Sequence, residues 1–421
     1  MQGRFWPIAL VSLCLLLLAG GIGQVAGSFT DSETSVGNGF QSWTSTQWLQ
    51  TTQADFEAGI IPSHADTKSS PGDVGLARAN RVFAFQGGSA NFWAYGVPAN
   101  SWASMASPPA PNTVGAGGAL VYDGSRYIYA FRGGGNNRTF WRYDTTSNTW
   151  LARANALANI GAGGSLSYDG SRYIYAFGGG RNFWRYDTIN DTWLARANAL
   201  ANVGTGGSLA YGGSGYIYAF RGGGNNRTFW RYDIAGNSWR AMANALARVG
   251  AGGSLAYDGS RYIYAFGGNG TTAFWRYDAL GNSWTVMAVA PAAVGALGVS
   301  GGSLAYAGSG YIYAFQGSGT PAFWRYDALG NSWTVMANAP GNVADGGALA
   351  FVAASTYVSP ATAASQVRDT GTPGDRWDAL IWDETLLLNT DITFEVRASD
   401  TLFAAGDALP AWVSVGGTSP V

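Results

Sequence analysis

The sequence is short of the side chains that carry most enzyme chemistry. Among its 421 residues there is one histidine, His64, and one cysteine, Cys14. Zinc and similar ions want three or four clustered donors, so no His- or Cys-based metal centre, thiol nucleophile or disulfide framework can be assembled. His64 lies in "HADTKSSPGD", which brings no cluster with it and reads as a surface loop. Charge is scarce too: 12% of residues are Asp, Glu, Lys or Arg, and the net charge is -1. Nucleic-acid phosphates demand a basic surface, so a nucleic-acid partner is excluded. Lys68 is the only lysine. Positive charge therefore rests on arginine, which stacks on aromatic rings as well as pairing with acids. Beyond the N-terminus no stretch is long and apolar enough to cross a bilayer, so no membrane span is expected in the mature chain.

What is abundant is glycine, at 62 residues, and aromatics, at 14% with 18 Trp. Glycine at about twice its usual share, with few charges, implies many turns and few solvated helix faces. These residues recur in register. "GGALVYDGSRYIYAF" begins at Gly117, and close copies begin at Gly163, Gly206, Gly252 and Gly301, with a further start, "GGALAFV", at Gly346. Each full copy continues to an aromatic pair: Tyr143 and Trp150, Tyr186 and Trp193, Tyr232 and Trp239, Tyr277 and Trp284, Tyr326 and Trp333. A partial copy upstream adds Tyr95 and Trp102. In all six the Trp follows the Tyr by seven residues. Fixed periods of this length are the mark of stacked supersecondary units.

Each unit reads as four short strands joined by turns, because β-branched and aromatic runs are bounded by Gly, Asn, Asp and Ser. In the fifth unit the strands are expected at 254–257, 262–266, 273–277 and 283–288. Neither face of "YIYAF" is polar, so each small sheet must be covered on both sides, which radial stacking about an axis achieves. The double Gly after an apolar strand, followed by Tyr-Asp and then Trp, resembles the kelch motif of β-propellers, over about residues 78–352. That resemblance implies an all-β, six-bladed kelch-type propeller of four-stranded blades. It also implies that Tyr277 and Trp284 pack inside a blade, that Gly267 and Gly268 permit a tight turn, and that the strand after Gly346 closes the ring on blade 1. "GDVGLARAN" is a rival for that closing place.

Propeller function is carried by loops, and strand order sorts them onto two rims. The short turns "YDGSRY" and "DALGNSW" share one rim and read as structural. Asp123 with Arg126, Asp169 with Arg172 and Asp258 with Arg261 occur together in the first of these turns, while units four and six lack both charges, so a cross-turn ion pair is expected. Arg142, Arg185, Arg231, Arg276 and Arg325 of "FWRYD" are expected to stack or pair against neighbouring blades. The other rim holds the variable loops between second and third strands, where the candidate ligand-binding residues lie: Arg132, Asn136, Asn137 and Arg138, then Arg181 and Asn182, then Arg221, Asn225, Asn226 and Arg227. Guanidinium forks and amides can bind sugar hydroxyls, carboxylates or a partner chain. A copper-radical oxidase is excluded for want of His and Cys ligands. Sialidase boxes are missing, and acids are too sparse on this rim for a paired-carboxylate glycosidase. No catalytic, metal-binding or cofactor-binding residue is assigned, and no cofactor is expected.

The flanks add a targeting story. Arg4, an apolar run from Phe5 to about Ala19 and small residues after it have the layout of a secretory signal, with cleavage expected after Gly27. An uncleaved anchor, or lipidation at Cys14, are the alternatives. Residues 28–77 begin with "FTDSETSVGNGF", which resembles the mature start of camelysin-type secreted surface and matrix-fibre proteins. Residues 353–421 alternate apolar and polar through "DALIWD" and "ITFEVRA" and are expected to form a smaller β-sandwich, cut short at "AWVSVGGTSPV", with 28–77 supplying strands and the propeller inserted. The whole reads as a secreted or cell-surface recognition propeller without enzymatic activity, whose partner is an extracellular glycan or a surface protein. A saccharide lyase or hydrolase acting at the variable rim, and a purely structural surface protein, are the competing readings.

Overall fold

The computed structural model describes residues 78–296 and 301–354 in full, together with the backbone of eight short strands in the flanks. Residues 80–353 form one compact unit and the two flanks form another. Six four-stranded antiparallel sheets make up the first unit, a six-bladed β-propeller. Blade 2, for example, is built from Ala119–Tyr122, Tyr127–Phe131, Phe140–Asp144 and Thr149–Ala152 in simple meander order. Blades 3 to 6 repeat it, beginning at Ser165, Ser208, Ser254 and Ser303. Blade 1 takes its first strand from the far end of the repeats. Ala348–Val352 pairs with Arg81–Phe85, Val352 opposite Arg81, so the ring is closed by hydrogen bonds between its two ends. The rival strand Asp73–Leu76 pairs instead with Thr34–Ser42 of the flanking unit.

The strand limits expected for the fifth unit match at Ser254–Tyr257 and Tyr262–Phe266, and the third strand is shifted by one, to Phe274–Asp278. The seven-residue Tyr-to-Trp spacing has a simple cause. Tyr277 lies directly opposite Trp284 and Asp278 opposite Ser283, so four residues remain for the turn. Asn282 ends that turn with φ +48°, and Asn100, Asn148, Asp191, Asn237 and Asn331 do the same in the other blades. This is the left-handed region, which Asn and Asp tolerate better than most side chains. The Asn282 carboxamide oxygen accepts the Tyr277 hydroxyl at 2.8 Å and the Ala243 N–H of the link from blade 4 at 2.9 Å.

Packing between blades is aromatic. "YIYAF" is buried on both faces in every full unit. The tyrosine and tryptophan of each hairpin touch one another, Tyr277 and Trp284 with centroids 5.0 Å apart, yet their rings also meet the preceding blade. Trp284 stacks on Phe220 at 5.7 Å and meets Phe229 edge-on at 4.9 Å, and its indole N–H donates to the Ala243 carbonyl. The same contacts recur at all six joints, including the closing one, where Trp102 of blade 1 stacks on Phe315 of blade 6. The pair expected inside one blade is thus the mortar between two. Near the axis, hydroxyls of Ser165, Ser208, Ser254 and Ser303 accept the N–H of the leucine in the next innermost strand.

In the flanking unit, Thr34–Ser42 pairs antiparallel with both Gln47–Gln50 and Trp377–Thr385, and Ala26–Ser28 pairs with Glu395–Arg397. Strands from before and after the repeats therefore share sheets. The apolar run at 5–19, Cys14, His64 and most of the expected sandwich lie outside the described residues.

Candidate functional site

The lower rim, holding the first-to-second and third-to-fourth strand turns, uses its charges internally. The pair expected between Asp258 and Arg261 is not made. The Asp258 carboxylate accepts three backbone N–H groups, of Ser260, Arg261 and Tyr262, closing the turn on itself. Arg261 reaches instead to Asp278 at the end of the third strand, Nε at 2.8 Å and Nη2 at 2.5 Å from its two oxygens. Arg126 with Asp144 and Arg172 with Asp187 are identical. The bidentate guanidinium beside each of these carboxyls holds it well below the usual carboxylate range. The "FWRYD" arginines do stack, but on their own blade: the Arg142 guanidinium lies 4.0 Å from the centre of the Tyr127 ring, and Arg276 4.2 Å from that of Tyr262.

The upper rim differs. It carries the loops between second and third strands and the links between blades. Arg132, Arg138, Arg181, Arg221 and Arg227 all stand there, on three successive blades, with Arg248 on a link beside them. None has a carboxylate partner among the described residues. The only described acid of this rim is Asp345, which has contacts of its own. Each loop arginine is tethered through Nε alone: Arg132 to the Thr113 carbonyl at 3.1 Å, Arg221 to Asn202 at 3.0 Å, Arg181 to Ala199 at 2.8 Å, and Arg138 and Arg227 to Ala156 and Ala245. The tether fixes direction and leaves the outer nitrogens of the fork for another molecule. Asn136, Asn182 and Asn225 are exposed. Asn137 and Asn226 are spent within their loops, each donating to a glycine carbonyl four residues earlier and accepting the N–H of Thr139 or Thr228.

The remaining blades show that Arg138, Arg181 and Arg227 are not needed to build the rim. The backbone N–H of Ala156 donates to the Arg138 carbonyl at 2.9 Å, and Ala199 and Ala245 bond Arg181 and Arg227 in the same way. In blades 5 and 6, Thr272 and Pro321 hold the equivalent place and their carbonyls accept the same bond, at 2.9 and 2.8 Å. The link is pinned in all five; only three also present a guanidinium.

At the centre of this rim is a cavity that the candidate residues did not include. It is lined almost wholly by backbone, from Ala116, Gly117 and Gly118 of blade 2 round to Gly346 and Gly347 of blade 1. The first glycine of each pair has φ between +78° and +90°, and the second packs so closely that a side chain has no room. An added Cβ on Gly164 would lie 2.5 Å from the Gly117 carbonyl oxygen of the preceding blade, and one on Gly302 would lie 2.7 Å from that of Gly252. The double glycine repeated in sequence is the signal for this collar. Comparison of the chain with protein-family models finds no match, and comparison with curated proteins finds none either.

Proposed function

We propose that this protein is an exported recognition module, a propeller of the kelch type, that binds an extracellular glycan or surface protein at the arginine-bearing arc of its upper rim and performs no catalysis there. The observation that carries the reading is that guanidinium groups without acid partners among the described residues stand on three successive blades, at positions where Thr272 and Pro321 serve the fold equally well. Arginine kept where threonine suffices points to a use outside the fold. A single acid, Asp345, is at odds with a glycosidase, which works through two opposed carboxyl groups.

The test replaces Arg138 and Arg227 together by threonine, the residue that blade 5 already uses. Binding of the full chain to glycan and matrix-protein arrays is then measured beside its melting temperature. Weaker binding at unchanged melting temperature is expected. Binding that survives the double substitution would remove this site, and product formation from any bound saccharide would replace the reading with an enzymatic one.

A further inference from the structure

We propose that the glycine collar on the propeller axis is an anion-binding site, taking one small oxyanion such as a carboxylate on backbone N–H groups. The inference stands apart from the arginine arc, since it rests on peptide orientation alone.

The geometry comes from the turns that lead into the innermost strands. In blade 2 the Gly118 N–H bonds the Gly115 carbonyl, so residues 115–118 form a tight turn, with Gly117 at φ +85°. The carbonyl of the central peptide, that of Ala116, accepts the N–H of Gly134 at 2.8 Å. Gly134 belongs to the loop between second and third strands, farther from the axis than the first strand. A trans peptide holds its C=O and N–H in opposite directions. The Gly117 N–H therefore points away from that loop and towards the axis. The same holds where Thr205 accepts from Gly223, Ala251 from Asn269 and Asp345 from Gly88, which turns the N–H groups of Gly206, Gly252 and Gly346 inward. None of these four amides donates to any described residue.

The carbonyl oxygens of Gly117, Gly206 and Gly252 face the second glycine of the next blade: a Cβ added to Gly164, Gly253 or Gly302 would lie 2.5, 2.9 or 2.7 Å from them. The axis thus meets a set of positive N–H ends with the negative ends turned aside, the arrangement by which successive backbone amides form anion-binding nests. Asp345, next to Gly346 in the chain, brings a negative charge to this ring and sets the sign of one test below.

Amide spectra of the full chain labelled with 15N-glycine provide the readout. The probes are sodium acetate and inorganic phosphate, for a free ion, and a short uronic-acid oligosaccharide, for an anion carried by a larger ligand, all at fixed ionic strength. Saturable shifts confined to Gly117, Gly206, Gly252 and Gly346 with any of the three bear out the site, and the tightest binder identifies the source. Thr205 lines the cavity. Thr205→Asp should weaken binding at least about tenfold through charge at short range, while Thr205→Asn should not. Asp345→Asn should tighten it. The Arg138→Thr and Arg227→Thr variant should keep the collar shifts with acetate. The absence of saturable shifts with all three probes, or shifts lost with those arginines and indifferent to Thr205→Asp, would overturn the proposal.

Discussion

Replacing Trp239 by alanine tests the joint between blades 3 and 4. The indole stacks on Phe177 at 5.7 Å, meets Phe183 edge-on at 4.7 Å, and donates to the Ala197 carbonyl at 2.8 Å. The larger part of an aromatic side chain's ~200 Å² is out of water here, and at about 25 cal/mol per Å² burial contributes roughly 3 kcal/mol. The aromatic geometry adds about 1 kcal/mol and the hydrogen bond about 1 kcal/mol. A loss of about 3–5 kcal/mol follows, in the range of other large-to-small aromatic substitutions. Urea unfolding of the full chain, followed by two probes to check that the transitions coincide, measures it. Trp239→Phe keeps the stack and should cost only about 1–2 kcal/mol. A loss below about 1 kcal/mol for alanine, or equal losses for alanine and phenylalanine, would refute a joint held mainly by stacked rings.

Other outcomes follow from the same contacts. Asn282→Gly keeps the left-handed turn but drops two hydrogen bonds and should cost about 2 kcal/mol, with Asn282→Ala costing about 1 kcal/mol more for backbone strain; equal urea midpoints for the two would deny the strain. Gly268→Ala puts a Cβ 2.2 Å from the Ala251 carbonyl oxygen at φ +63° and should prevent blade 5 from closing, read as lost far-ultraviolet dichroism at ordinary temperature. The carboxyls of Asp144, Asp187 and Asp278 titrate lower in the fold than in the unfolded chain, so their contribution is complete above about pH 4 and drains away as the pH falls below it. Melting curves from pH 7 downward should be flatter for the triple Asn variant, and parallel curves would contradict the pairing. At the alkaline end, burial pushes the phenols of Tyr143, Tyr175 and Tyr313 up to about 12. That stabilisation is whole below about pH 10 and is lost as the pH rises through 12, so phenolate absorbance should show a late phase coincident with unfolding. Titration of every tyrosine near pH 10 in the folded protein would be inconsistent with this core.

The strands and the blade count were legible because short apolar runs bounded by glycine and asparagine repeat too regularly for any other fold. What escaped was direction. Asp258 and Arg261 vary together, and sequence proximity makes them look like partners; yet a carboxylate three residues before an arginine is better placed to cap the turn's own N–H groups. The pairing partner is fixed by register, which sets Asp278 opposite Tyr262, the neighbour of Arg261. The collar escaped for the same reason. Its double glycine is plain in the sequence, but the way a turn points its amides depends on which loop takes the opposing carbonyl, a contact made only once a blade has formed.

Comparison between blades separates what the fold requires from what it does not. The collar is built from all six blades, so anything seated in it is held on the axis whichever blade is considered. The arginine arc belongs to blades 2, 3 and 4 alone, while the matching positions of blades 5 and 6 are Thr272 and Pro321. A ligand that used both would be anchored at the centre and lean to one side, across blades 2 to 4. Adding a fourth guanidinium at Thr272 would then extend the arc without touching the anchor. If the arc is the binding site proposed above, Thr272→Arg should strengthen binding to the glycan and matrix-protein arrays and leave collar shifts with acetate where they were; movement of both together would mean that collar and arc form one site.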